Sequence, residues 1–119
     1  LNTSDVVSIH VIKTKETENL ISKEKLDLLK ENSILINTSR GGILDENYLI
    51  ELLKSKKIFG AGLDVYSEEP PKNIDTFIDL NLISTPHIGA STSEAQLKAG
   101  LDTVDNIKTI LAGDTTVAI

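Results

Sequence analysis

Three side chains far apart in this sequence can together move a proton and hold an anion: Arg40, Glu69 and His87. A carboxylate beside an imidazole favours the protonated ring, and such a pair gives and takes a proton near neutral pH. Arg40 is the only arginine, against 11 lysines, and a guanidinium fork holds a carboxylate at two points where an ammonium does not. Gly41 and Gly42 follow it, which suits either a ligand anion approached closely by backbone or a plain surface turn. A fork, an acid and a base are sufficient for hydride transfer to or from the carbonyl of a 2-keto or 2-hydroxy acid when a nicotinamide is supplied. Asp64 follows Leu63 inside an apolar run, where a charge is costly unless bonded. It fits a cap, a buried pair or a ligand contact. His10, at the end of another apolar run, reads as a packed edge residue.

The elements around these residues place them together. Four apolar runs, Val6 to Val11, Ile34 to Asn37, Ile58 to Val65 and Leu82 to Ser84, begin about 25 residues apart, the spacing of βαβ units. The runs are near-continuous rather than alternating, which predicts a parallel sheet buried on both faces. Between them, Ser22 and Asp45 stand as helix caps, with Ile21 and Leu26, then Leu44 and Leu49, as hydrophobic staples. Leu26 and Leu29 supply one apolar stripe, and Leu49, Leu52 and Leu53 face the sheet. The third connection holds Pro70, Pro71 and Asn73 and predicts a loop with a short turn near Asp75 to Leu80. Ser93 and Gln96 stand in capping-box relation before a helix that carries Leu97, Leu101, Val104, Ile107 and Leu111 and ends at Gly113.

The expected fold class is therefore α/β: a Rossmann-like, doubly wound, mostly parallel sheet, present in part. Ligands of such sheets bind beyond the carboxyl ends of the strands. Those ends carry His10 and Val11; Thr38, Ser39, Arg40, Gly41 and Gly42; Asp64, with Glu68 and Glu69 beyond; and Thr85 through Gly89.

Composition narrows the function. The net charge is −6, which repels phosphate backbones and argues against a nucleic-acid partner. The mixed charge runs at Lys13 to Glu18 and Ser22 to Glu31 read as solvated helix faces. The absence of Cys excludes disulfides and thiolate metal sites, and it fits an intracellular, cytoplasmic location. No apolar run reaches the ~18 residues of a membrane span, so no membrane partner is expected. A chain that starts at Leu1 and contains no Met reads as a piece of a longer protein.

Three motifs then occur in a fixed order: Ile34 through Gly42 (ILINTSRGG); Gly60 through Tyr66 (GAGLDVY), followed by Glu68-Glu69-Pro70; and Thr85 through Thr92 (TPHIGAST), followed by Glu94-Ala95-Gln96. Together they resemble the D-isomer-specific 2-hydroxyacid dehydrogenases from roughly Ser4 to Gly113. The resemblance implies an NAD cofactor and a small 2-hydroxy or 2-keto acid substrate. It implies that Arg40 binds the substrate carboxylate and carbonyl oxygen, and that His87 is the general acid and base at the 2-hydroxyl. Glu69, directly before Pro70, would orient His87 and stabilise its protonated form. Asp64 would contact the nicotinamide end of the cofactor. Thr38, Ser39 and Arg40, with His87, Ile88, Gly89 and Ala90, would line the nicotinamide site, partly through backbone. His10 and Val11 match a segment that passes the adenosine side. By the same resemblance, residues 1–113 are the C-terminal half of a dinucleotide-binding domain, 114–119 are an extended tail leading back toward a substrate-binding domain, and the full-length protein is a homodimer.

Two features depart from the family pattern. Members often carry Pro soon after the position of His10, and Val11-Ile12-Lys13 has none, which leaves the shape of that loop open. The sequence also lacks the Gly-x-Gly-x-x-Gly loop and its downstream acid. Gly60-Ala61-Gly62 lies within a strand pattern with no helix start after it. Without that loop the pyrophosphate has no helix N-terminus to rest on, so these 119 residues alone are expected to bind NADH weakly and to be inactive. Within the family, the third motif looks most like the branch acting on D-3-phosphoglycerate, followed by glyoxylate and hydroxypyruvate reductases. Corepressors that resemble these dehydrogenases and sense nicotinamide cofactors are the non-enzymatic alternative.

Overall fold

A computed structural model describes residues 1–72 and 74–116. They divide into two units, Leu1–His87 and the residues from Ile88 onward. The first unit holds four strands, β1 (Val6–Ile9), β2 (Ile34–Asn37), β3 (Gly60–Leu63) and β4 (Leu82–Ser84), with helices α1 (Lys23–Leu26) and α2 (Glu46–Lys54) in the first two connections and a 3-10 turn at Ile74–Phe77 in the third. Every strand pair is parallel, and the order across the sheet is β1-β2-β3-β4. The expected α/β parallel fold is thus the fold observed. Parallel strands in chain order bring all four carboxyl ends to one edge, the edge where the candidate residues were expected.

Register explains which face forms the core. Val7, Leu35, Ala61 and Leu82 are in register, as are Ile9, Asn37, Leu63 and Ser84. In-register residues of parallel strands share a face. Ile9, Leu35, Ala61 and Leu63 pack in one cluster with Leu26 and Leu29 from the α1 segment, Leu49, Leu52 and Leu53 from α2, and Ile43, Leu44, Ile58 and Tyr66. On the opposite face of this unit Val6 is 54% exposed and Ile83 76%, while Ile34 and Ile36 of the central strand β2 are half-buried. Burial on both faces, expected from the continuous runs, is therefore complete on one face only.

Local chemistry accounts for the helix ends. Asp45 is extended, and its carboxylate accepts the Tyr48 amide at 3.0 Å, which caps α2 as expected. Lys56 takes a left-handed φ of 57° after the helix, and the Lys57 and Lys56 amides close back on the Leu52 and Leu53 carbonyls. This is a Schellman ending made without glycine. Ser22 occupies the cap position of α1, but its hydroxyl donates to Glu24 instead of capping an amide, and the helix lasts four residues. Leu29 is buried from the turns that follow. The charged run Lys13 to Glu18 is not a helix face either. Thr17 donates to the Ile12 carbonyl and accepts the Thr14 amide, side-chain bonds that compete with helix formation.

The second unit contains α3 (Ser93–Leu111). Its cap is Thr92, whose hydroxyl accepts the Ala95 amide at 3.1 Å. That places the cap one residue before the expected Ser93, so Gln96 is not in capping-box position. With Ser and Thr adjacent, the sequence offers two equivalent caps, and the backbone selects Thr92, which is extended. Leu97, Leu101, Val104, Ile107 and Leu111 recur at helical spacing and are each half or more exposed. Gly113, at φ 97°, ends the helix as expected, with the Asp114 and Gly113 amides bonded to the Thr109 and Ile110 carbonyls. The Thr116 amide donates to Asp114; residues 117–119 of the expected tail, and Asn73 in the third connection, lie outside the described residues. Among the described residues, no helix is long and apolar enough to cross a membrane.

Asp45→Ala leaves the Tyr48 amide without its cap and should cost about 1 kcal/mol of stability. Urea unfolding would read this as a lower midpoint at unchanged slope, and an unchanged midpoint would contradict the capping role.

Candidate active site

The loop after β2 is fixed from three sides. Asn37, fully buried at the strand end, accepts the Ser39 amide at 3.1 Å through Oδ1 and donates through Nδ2 to the Arg40 carbonyl at 3.0 Å. The Asn19 amide donates to the Gly42 carbonyl, and Ile21 bridges Leu44 in parallel. Gly41 lies against the Tyr66 backbone so closely that a Cβ there would stand 1.7 Å from the Tyr66 carbonyl oxygen. Only glycine fits that approach, and Gly42 at φ 76° uses glycine's left-handed freedom. The Arg40 side chain is exposed, and its Nη1 donates to the Ser39 carbonyl at 2.7 Å.

The loop after β3 carries the acid. Glu69 uses both carboxylate oxygens: Oε1 accepts the Tyr66 amide at 3.1 Å, and Oε2 meets His87 Nδ1 at 2.8 Å. The next amide along, Ser67, donates to Glu46 in the first turn of α2 at 2.7 Å. The two side chains of the Glu69–His87 pair are 39% and 44% exposed, so the pair is open to a ligand. His87 holds a left-handed φ of 55°, a conformation that non-glycine residues keep at a cost of order 1 kcal/mol or more when surrounding contacts enforce it. With Nδ1 committed to Glu69, proton exchange with a ligand falls to Nε2.

Asp64 is buried just past β3. Its amide donates to the Asn37 carbonyl, and its Oδ1 accepts the Thr85 hydroxyl. That is the bonded environment a charge in an apolar run requires. His10 is exposed and shares a hydrogen bond of 2.8 Å with the Ser8 hydroxyl on its own strand. Its ring is thus not packed at the edge as expected, because Ser8, on the face away from the core, draws it outward. Val11 is 38% exposed, and Thr38 is exposed at the end of β2. Ile88, Gly89 and Ala90 open the second unit, where the Ile88 carbonyl accepts the Ser91 amide.

Of the expected residues, the structure joins Glu69 to His87 directly and brings the Arg40 loop onto the backbone of Tyr66, which Glu69 also grips. The Arg40 guanidinium turns to its own loop. Three supporting residues were not singled out from sequence, Asn37, Glu46 and Tyr66, and Thr85 was placed at the strand end without a role. A polar Asn closing the apolar run Ile34-Leu35-Ile36 was the one visible signal among them. The edge suits a nicotinamide by its donor set: a buried, bonded carboxylate to accept from a carboxamide, an imidazole on a carboxylate for a proton, and a guanidinium for an acid substrate.

Residues 1–89 match a family model described as the D-isomer specific 2-hydroxyacid dehydrogenase NAD binding domain. The chain is 45% identical over 111 residues to a D-3-phosphoglycerate dehydrogenase of Methanocaldococcus jannaschii, covering 93% of this chain and 21% of that protein. It is 51% identical over 96 residues to a glyoxylate reductase of Thermococcus litoralis, covering 81% of this chain and 29% of that protein. The NAD-complexed structure of a D-isomer specific 2-hydroxyacid dehydrogenase from Lactobacillus delbrueckii ssp. bulgaricus superposes with a TM-score of 0.82 at 29% identity, over 95% of this chain and 39% of that one. The chain thus spans between a fifth and two-fifths of the length of these relatives.

The His87 bond, and then the Tyr66 amide, hold the Glu69 carboxyl below the usual glutamate value. A depressed carboxyl stabilises the fold above its ordinary pKa of about 4.3, and that contribution fades as pH falls through the lowered value. Glu69→Gln should therefore be less stable than the parent near neutral pH, with the two stabilities converging below about pH 4. Because the pair is half exposed, the gap should be small, about 1 kcal/mol or less. Thermal unfolding across pH reads it, and a gap that stays constant into acid would contradict an ionised, bonded Glu69.

Proposed function

The chain belongs to the D-isomer-specific 2-hydroxyacid dehydrogenase family, within its NAD-binding domain, and we propose that the full-length protein interconverts a D-2-hydroxy acid and its 2-keto acid. The observation that carries this reading is the 2.8 Å bond between Glu69 and His87 Nδ1 at the sheet edge. Glu69 orients the ring through Nδ1, so Nε2 gives a proton to the carbonyl oxygen in reduction and takes it from the 2-hydroxyl in oxidation. Arg40, leaving its Ser39 contact, grips the substrate carboxylate and carbonyl oxygen with its fork. When bound, NAD supplies the hydride acceptor, or as NADH the donor. Thr38, Ser39, Arg40, Asp64 and His87 would hold the nicotinamide end, and His10 and Val11 would pass the adenosine side. Residues 1–113 serve as the C-terminal half of the dinucleotide-binding domain, and the full-length protein works as a homodimer in the cytoplasm.

D-3-phosphoglycerate is the favoured substrate. Its support is the 45% identity to the archaeal phosphoglycerate dehydrogenase over nearly the whole chain, with the third motif pointing the same way. Glyoxylate is the second reading, favoured by the higher identity, 51%, over a shorter match. Full-length protein assayed for NADH oxidation with 3-phosphohydroxypyruvate, hydroxypyruvate and glyoxylate ranks the substrates by kcat/KM. No oxidation with any of them would favour an NAD-sensing binding module.

His87→Ala in the full-length protein should lower kcat by about 10²- to 10⁴-fold, the usual contribution of a positioned acid–base group, while NADH affinity stays near the parent's. Unchanged turnover would end the acid–base assignment.

A further inference from the structure

We infer that Tyr66 is a positioning residue for the reaction, holding the segments of Arg40, Glu69 and His87 in register; this rests on the dehydrogenase reading above. Five contacts converge on it. Its carbonyl lies so close to Gly41, next to Arg40, that a Cβ there would stand 1.7 Å from the oxygen. Its amide donates to Glu69 Oε1 at 3.1 Å. Its hydroxyl reaches the Leu63 carbonyl at 3.2 Å and the Thr85 carbonyl at 3.1 Å. Its ring stacks on Phe77 at 6.0 Å between centroids and is buried with the core.

Burial and stacking alone call for an aromatic ring, and phenylalanine would satisfy both. The hydroxyl needs a further reason, which lies in where its acceptors sit. β4 ends at Ser84, the Thr85 amide makes the last ladder bond to Leu63, and Pro86 has no amide to continue it. The Thr85 carbonyl is thus at the point where the chain leaves the sheet, two residues before the left-handed His87. A donor there fixes the departure of the segment that carries the imidazole. The same residue's amide fixes the carboxylate that the imidazole must meet. Tyr66 touches neither the reacting atoms nor their ligands, so its influence passes through Glu69 and His87. Misplacing a catalytic group by about 1 Å costs up to about 100-fold in rate, which is the leverage such a residue has.

The test uses full-length protein carrying Tyr66→Phe, which keeps the ring and its stacking, with Gly41→Ala as a second variant that strikes the Tyr66 carbonyl contact. Tyr66→Phe is expected to lower kcat by about ten- to a hundredfold and to leave the KM for NADH within a factor of about two. The His87 ring-proton resonances of cofactor-free protein, recorded by NMR at one fixed pH and assigned by their loss in His87→Asn, should move from their parent positions. A lower melting temperature with parent-like kcat and parent-like ring-proton resonances, in Tyr66→Phe and Gly41→Ala alike, would reduce Tyr66 to a packing residue. If the parent oxidises NADH with none of the 2-keto acids, the dehydrogenase reading fails, and the His87 resonances still decide whether Tyr66 positions the ring.

Discussion

Glu69 divides its carboxylate between two partners, with one oxygen on the Tyr66 amide and the other on His87 Nδ1. The site depends on that division. A carboxylate that only neutralised the imidazole could sit at many angles around it. One already anchored to the backbone at the end of β3 presents its second oxygen from a fixed point, so the ring has one favoured orientation. The left-handed backbone of His87 is consistent with a residue held where its side chain is required rather than where its own φ preference would leave it.

The rest of the first unit can be understood as support for that geometry. Four parallel strands bring their ends to one edge, and the junctions after β2, β3 and β4 are tied to one another: Asp64 to Asn37 and to Thr85, Thr85 to Leu63, Gly41 against Tyr66. These ties are mostly backbone, or side chain to backbone, so they survive variation of exposed residues. The buried leucines of α1 and α2 supply the apolar area that keeps the edge rigid, each worth about 1.5–3 kcal/mol. The arginine differs. Its loop is fixed at both ends, yet its guanidinium is exposed and donates to the loop's own Ser39 carbonyl. A fork that waits on its own carbonyl can turn to a carboxylate at low cost, since it exchanges one hydrogen bond for a charge-assisted pair.

The strands were legible in the sequence because apolar, β-branched runs at βαβ spacing have few other readings. The α2 cap was legible because Asp45 has no rival beside it. Ser93 and Thr92 do compete, and composition does not choose between two hydroxyls one residue apart; backbone conformation does. α1 was overextended because Leu26 and Leu29 keep helical spacing even though the chain turns after Leu26. Burial of the second sheet face was overread, since an apolar face records what could be covered rather than what covers it. Within the site, the types and order of Arg40, Glu69 and His87 carried the signal. The role of Tyr66 was invisible because it lies in its own amide and carbonyl and in carbonyls of other segments, and a sequence does not display which backbone groups meet. His10 was misread for a local reason: Ser8, two residues back on the same face, gives its ring a polar partner outside the core.

If Arg40, Glu69 and His87 act around one small anion, a crystal structure of the full-length protein with NADH and oxamate, an unreactive mimic of a 2-keto acid, will show it. The oxamate carboxylate should lie in the fork of Arg40, with His87 Nε2 within hydrogen-bond reach of the keto-like oxygen and Glu69 still on Nδ1. Oxamate held elsewhere, with the imidazole turned away from it or parted from Glu69, would rule out that shared site.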